Sequence, residues 1–257
     1  MTLQSTNIPK LRKPTLNDFR SSMALGVQDF LAAPRAAAFF ASFFVGAGIM
    51  MALITYWTGQ TFWLVLAVLG FPLIGTLSAV GFYDISRRLN ESRSIKLRDV
   101  MQFVWSLRKG QLPWLATIIV VIFLFWFFLG HMIFALFLGL SPMTNITTSL
   151  EVFVSLQGAM MLGLGSVVGA VFATLVFALS IHGIPMLVDR DIDFMTAALT
   201  SISAVANSLP RYLAWGIFIG LMTLISMLPL FLGLFISMPI LGHATWHLYQ
   251  TLLGDGA

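Results

Sequence analysis

The sequence predicts an all-α polytopic membrane protein: six transmembrane helices plus three amphipathic interfacial helices on the cytoplasmic side. Three observations carry this. Hydrophobic residues make up 58% of the 257 positions and charged residues only 9%, where soluble chains carry roughly 25% charged residues. Long stretches run without any charge, from about Ala36 to Tyr83, Pro113 to Leu150, Val152 to Val188 and Tyr212 to Gly254. All 14 Lys and Arg fall on one side of the topology that these stretches imply. Such a chain cannot solvate its own surface, which excludes a soluble globular enzyme. Cysteine is absent, so disulfides, thiolate metal sites and cysteine nucleophiles are excluded as well.

A helix needs about 20 residues to cross ~30 Å of hydrocarbon. The first stretch breaks at Thr58-Gly59-Gln60, giving spans near 36–57 and 62–84. The second gives a span near 113–138, a polar connector follows from Ser141 to Gln157, and a fourth span runs near 158–187. The last stretch is only just long enough for two helices, near 212–228 and 230–251, with Pro229 and Gly233 at the turn. Five spans is the alternative count. The chain thus divides into a cytoplasmic segment, 1–35, and a six-helix transmembrane domain, 36–253. The first 35 residues are polar and basic, without a short apolar core ending in small residues, so a cleavable signal peptide is not expected.

Charge sets the orientation. The N-terminal segment holds five Lys and Arg, the 85–112 loop seven, and the 189–211 loop two. Basic loops stay on the cytoplasmic side, so both termini are expected there. The basic excess of +4 is therefore a property of topology and implies no nucleic-acid partner. Tyr56, Trp57 and Trp63 belong to the outer rim; Trp105, Trp114, Tyr212, Trp215, Trp246 and Tyr249 lie towards the inner one.

The basic segments carry helical periodicity of their own, expected over 16–31, 95–108 and 194–208. Leu16, Phe19, Met23, Val27 and Phe30 recur at helical spacing, as do Leu97, Val100, Met101, Val104 and Leu107, and then Met195, Ala198, Ile202, Val205 and Leu209. Each set predicts an interfacial helix whose apolar face meets the bundle or the acyl boundary. Each is followed by proline (Pro34, Pro113, Pro210) at the start of a span, where the missing N–H costs nothing. Interfacial helix, proline, outgoing span and returning span make a unit that occurs three times. Two returning spans share Pro72-Leu73-Ile74-Gly75 and Pro239-Ile240-Leu241-Gly242. This is a threefold internal repeat about the membrane normal.

Candidate chemistry is sparse. The spans contain no Asp, Glu, Lys or Arg away from their ends, which argues against a carboxylate-driven pump. Asp84 precedes Arg87 and Arg88 by three and four positions and reads as a solvated helix pair. Asp191 or Asp193 is the expected N-cap of the third interfacial helix. The rows Gly165, Gly169, Ala173 and Gly216, Gly220 are expected to let helix backbones approach closely.

Histidine supplies the remaining candidates for cofactor binding. His182, His243 and His247 fall at similar depth near the inner boundary, with His182 and His243 expected to point into the bundle; His131 lies near the outer face. Two of them on facing helices could ligate haem b, and three a metal, whereas hydrogen bonding to neighbouring helices is the simpler role. His243-x-x-x-His247 has the spacing of a zinc helix, but Ala244 stands where a metalloprotease needs glutamate.

Four segments resemble a known family: Gly26-Val27-Gln28-Asp29-Phe30, Tyr83-Asp84-Ile85-Ser86-Arg87-Arg88, Leu187-Val188-Asp189-Arg190-Asp191-Ile192-Asp193, and Gly242-His243-Ala244-Thr245-Trp246-His247-Leu248-Tyr249. They are similar to the bacterial integral membrane proteins catalogued as domain of unknown function 2189, over nearly the whole chain. The resemblance implies a bacterial inner-membrane protein and no particular activity. Some members carry a cytochrome c oxidase subunit label, though the dense histidine set of an oxidase catalytic subunit has no counterpart here. The resulting expectation is a non-catalytic accessory or structural partner of a membrane assembly, embedded in the lipid bilayer, with membrane-protein partners and no cofactor. A permease or flippase for a neutral solute, and a b-type haem or quinone protein, are the alternatives.

Overall fold

The computed structural model describes residues 9–59, 79–139 and 155–254. Within them the chain forms helices α1 (Leu16–Ala32), α2 (Pro34–Thr58), α3 (79–90), α4 (Leu97–Ser106, continued by a 3₁₀ turn Leu107–Lys109), α5 (Leu112–Leu138), α6 (Leu156–Asp189), α7 (Phe194–Ala206), α8 (Leu209–Met227) and α9 (Leu234–Leu252). Most of the second predicted span, Trp63, the Pro72–Gly75 motif and most of the 141–157 connector lie outside the described residues.

Local sequence explains the boundaries. Thr15 and Asp18 form a reciprocal capping box at the start of α1. Proline stands in the first two positions of α2, α5 and α8, where it removes no helical hydrogen bond. Gly59 ends α2 in the left-handed region at φ 64°. Asp193 caps α7, accepting from the Thr196 N–H at 2.8 Å. The α8–α9 reversal at 228–233 holds Leu230 and Phe231 at positive φ, and a Cβ on Gly233 would stand 2.6 Å from the Ser226 carbonyl oxygen. The hairpin expected at Pro229 and Gly233 is formed.

Four helices, α2, α5, α6 and α8, are long and apolar enough to cross a membrane. Helix α9, expected as the sixth span, has 19 residues but is not in that set. Its neighbours explain why it can carry polar residues. In its C-terminal half Leu241, His243–Tyr249 and Leu252 are all buried, and α9 packs against α1, α2, α6 and α8. It also contributes to all three apolar clusters: Trp246 and Tyr249 with α3, α5, α6 and α7; Leu234 with α2, α3 and α4; Ala244 and Leu248 with α1, α6, α7 and α8. A helix shielded from lipid need not be apolar all round. The outer surfaces of α5 and α6 are the converse, with Phe125, Phe128, Met132, Val167 and Val171 all exposed.

Of the three short helices, α4 and α7 turn residues of their expected apolar faces, Val100, Val104, Ala198, Ile202 and Val205, to the core. On α1 the inward face is Asp18, Phe19, Ser22, Gly26 and Asp29, while Leu16 is 78% exposed and Val27 is also exposed. Part of its apolar stripe looks away from the bundle because the inward positions facing α9 take small and hydrogen-bonding side chains. A Cβ on Gly26 would lie 2.6 Å from the Ile240 carbonyl oxygen and 2.8 Å from the Ala244 nitrogen. Among the described residues, the rows expected to allow close approach meet no backbone: Gly165 and Gly220 have nothing within 4 Å, Gly169 and Gly216 meet only the Trp126 and Phe177 side chains at 3.4 and 3.5 Å, and Ala173 is exposed. Spacing finds a small-residue stripe but not the face it lies on.

Ahead of α1, an extended segment runs beside the chain's other end. Leu11 bridges Leu253 in antiparallel fashion, the Arg12 N–H donates to the Leu252 carbonyl at 2.9 Å, and the Gly254 N–H donates to the Lys10 carbonyl at 3.0 Å.

Gly26→Ala is therefore expected to lower the thermal unfolding temperature in detergent. Overpacking against backbone costs about 1–3 kcal/mol, against a helix-propensity gain of ~1 kcal/mol. Gly165→Ala, with open space, should leave the temperature unchanged or raise it. Equal behaviour of the two variants would refute the close α1–α9 approach.

Candidate functional site

The polar side chains of the bundle gather around the C-terminal half of α9. His182 on α6 and His243 on α9 are both 0% exposed, so both point inward as expected. His247 is buried too. Their partners come from five different helices, and most of those partners were not legible as such.

His247 Nε2 lies 2.7 Å from the Asp29 carboxylate of α1. Ser86 of α3 also acts to lower the pKa of that carboxylate, and its Oγ is 2.8 Å from His243 Nδ1. His243 Nε2 has no partner among the described residues. Burial alone would raise the Asp29 carboxyl, but the hydrogen bonds from His247 and Ser86 and the nearby imidazoles bring it below its ordinary range.

His182 belongs to a second group. Its Nε2 is 2.7 Å from the Tyr212 hydroxyl of α8, and its ring stands edge-on to Tyr212 at 5.4 Å. Ser201 of α7 donates to the Ala178 carbonyl at 2.6 Å and accepts from the His182 N–H at 3.2 Å, tying α7 to α6. The His182 ring also lies 6.4 Å from that of Tyr249, whose hydroxyl donates to Asp189 at 2.9 Å. His182 and His243 therefore serve different helix pairs, α6–α8 and α9–α3. Among the described residues no group of three or more His, Cys, Asp or Glu side chains could hold a metal ion.

Asp84 corrects the solvated reading. It is 0% exposed, bound by Arg87 Nη2 and Arg88 Nε at 2.6 Å each. Arg87 continues to the Val188 carbonyl at 3.2 Å and lies 4.2 Å over the Phe103 ring; Arg88 reaches the Asp99 carbonyl at 3.3 Å. The i, i+3 and i, i+4 spacing was read as a surface pair, yet α4 and the end of α6 close over it. A further pair, Arg12 with Asp18, is bidentate at 2.7 and 2.8 Å; it holds the Asp18 carboxyl well below its usual range, helped by Thr15 and opposed by burial.

Asp29 escaped the sequence reading because only apolar periodicity was followed along α1. Ser22, Gly26 and Asp29 recur at four and three residues, a stripe that marks the inward face. Tyr212 had been assigned to the interfacial rim by residue type alone.

Residues 63–189 match the family model described as predicted integral membrane protein, domain of unknown function 2189. Over that stretch the chain is similar to the family. The matched region contains the Tyr83–Arg88 motif and the Leu187–Asp189 end of α6, and is narrower than the nearly whole-chain resemblance expected. No curated protein and no solved structure matches the chain. The family is that of an integral membrane protein of unknown function, and its matched region carries Ser86 and His182 but neither Asp29 nor the α9 histidines.

Two outcomes follow. Asp84→Ala leaves two arginines without their buried partner and should destabilise the protein by about 3 kcal/mol, read as a fall in unfolding temperature. Asp18 and Asp29 both have folded-state pKa values below the unfolded value of about 4. Their stabilisation is present above that pH and is lost as pH falls through the folded values. Unfolding temperature should therefore drop below about pH 4, and Asp18→Asn should flatten that drop; an unchanged acid limb in the variant would sink the assignment.

Proposed function

We propose that the chain is a non-catalytic accessory protein of a bacterial inner-membrane assembly, with both termini cytoplasmic, and that its outer helix faces receive partner helices. One observation carries this. Gly163 and Gly165 on α6, Gly130 on α5 and Gly220 on α8 have open space where a Cβ would go, on surfaces whose large neighbours Val167, Phe128 and Ile217 are exposed. Glycine in a helix interior costs about 1 kcal/mol. In membranes small residues offset that cost where another backbone approaches, and among the described residues none does. A cross-linker placed at Val167 should yield a product heavier than the monomer in membranes, while one at buried Ala198 should not. Only lipid adducts at Val167 would defeat the partner reading.

Six crossings, three interfacial helices and a threefold repeat complete the proposal. The pairing of Leu11 with Leu253 supports an even number of crossings, since it joins the segment before the first span to the end of the last. The charge distribution supports cytoplasmic ends. The repeat is supported by the packing of α1 on α9, α4 on α3 and α7 on α6, together with the three helix-starting prolines. A reporter fused after Ala257 should be active in the cytoplasm; periplasmic activity would overturn the count. The haem alternative has less support, because Nε2 of both His182 and His247 already holds a protein partner.

A further inference from the structure

Helices α1 and α8 do not close against each other along their outer edge. Between them lies a groove of about 850 Å³ lined by Phe19, Arg20, Met23, Val27, Trp215 and Phe218. Its walls are almost wholly apolar, and the aromatic rings of Phe19, Trp215 and Phe218 form a continuous stack, with centroids 5.2 Å and 5.4 Å apart. Asn17 and Arg20 break that wall. Arg20 is exposed and has no carboxylate partner among the described residues, unlike Arg12, Arg87 and Arg88.

We propose that this groove binds one anionic phospholipid. The apolar trough suits an acyl chain, and burying CH₂ groups there is favourable by area alone. A phosphate diester offers the negative charge that an unpaired guanidinium binds with two parallel hydrogen bonds. A transmembrane helix from a partner would fill the trough but would leave the Arg20 charge unmatched, so charge complementarity favours the lipid. The groove lies at the first turns of α8 and along α1, the level at which headgroup and acyl chain meet. Which leaflet this is rests on the orientation proposed above; the binding does not.

The test uses the full-length protein, purified in detergent, stripped of lipid and titrated with phosphatidylglycerol or phosphatidylcholine, with bound lipid counted by native mass spectrometry. The wild type should bind one phosphatidylglycerol in preference to phosphatidylcholine. Arg20→Gln, at an exposed position, should weaken phosphatidylglycerol binding about fivefold and leave phosphatidylcholine unchanged. Met23→Trp should fill the trough and abolish the first binding event, with its unfolding temperature confirming that the fold is kept. Arg98→Gln, on α4 and away from the groove, should behave as wild type. Equal affinity for the two lipids, an Arg20→Gln variant that binds phosphatidylglycerol like wild type, or a dimer mass that disappears in Met23→Trp would overturn the proposal.

Discussion

The approach of α1 to α9 at Gly26 is the contact on which the packing of this bundle depends. With no side chain at that position, the α1 backbone sits against Ile240 and Ala244, so close that Asp29, one turn on, reaches His247. Ser86 bonds His243, which joins α3 to the same assembly. Any bulk at Gly26 would separate the helices and part the buried Asp29 carboxylate from the His247 imidazole. Removing one member of such a group is costly because the others stay desolvated.

That contact also explains why the helix that carries two buried histidines is so enclosed. A hydrogen-bonding side chain facing hydrocarbon has nothing to bind, whereas one at the centre of a bundle can be matched by its neighbours. Helix α9 carries His243, Thr245, His247 and Tyr249, and all four have partners: Ser86, the Leu241 carbonyl, Asp29 and Asp189. The apolar residues are displaced outward, to α5, α6 and α8. This reverses the arrangement of a soluble domain, and α1 shows the reversal within one helix, with aspartates inside and Leu16 and Val27 outside.

Those physical facts decide what the sequence could disclose. Helix existence was legible, because 20-residue apolar runs and prolines act locally: α2, α5, α6 and α8 begin and end within a few residues of expectation. The Asp193 cap and the 228–233 turn are equally local. The inward orientation of His182 and His243 followed from the cost of facing lipid. Partners were not legible, since Asp29 and His247 are 218 residues apart and no spacing rule links them. Burial of Asp84 was missed for the same reason: the pair with Arg87 and Arg88 is local, but the helices that cover it are not.

The α1–α9 interface has one further peculiarity, which accounts for its tightness. Each short helix packs on a longer neighbour or a chain-adjacent helix: α4 on α3, α7 on α6 and α1 on α9. In the first two cases a brief connection, residues 91–96 or 190–193, ties the pair together, so each helix is held near its partner at high effective concentration. No such connection exists for α1 and α9, which lie at opposite ends of the chain. Their association must be held by contacts alone. The features concentrated there do that work: the backbone approach at Gly26, the Asp29–His247 bond, the Leu11–Leu253 pairing, and Arg211 of α8 donating to the Pro14 carbonyl at 2.9 Å. Where the chain provides a loop, apolar packing and a few hydrogen bonds suffice, as with Ser201 at Ala178. Where it provides none, a buried carboxylate–imidazole bond and a close backbone contact hold the pair.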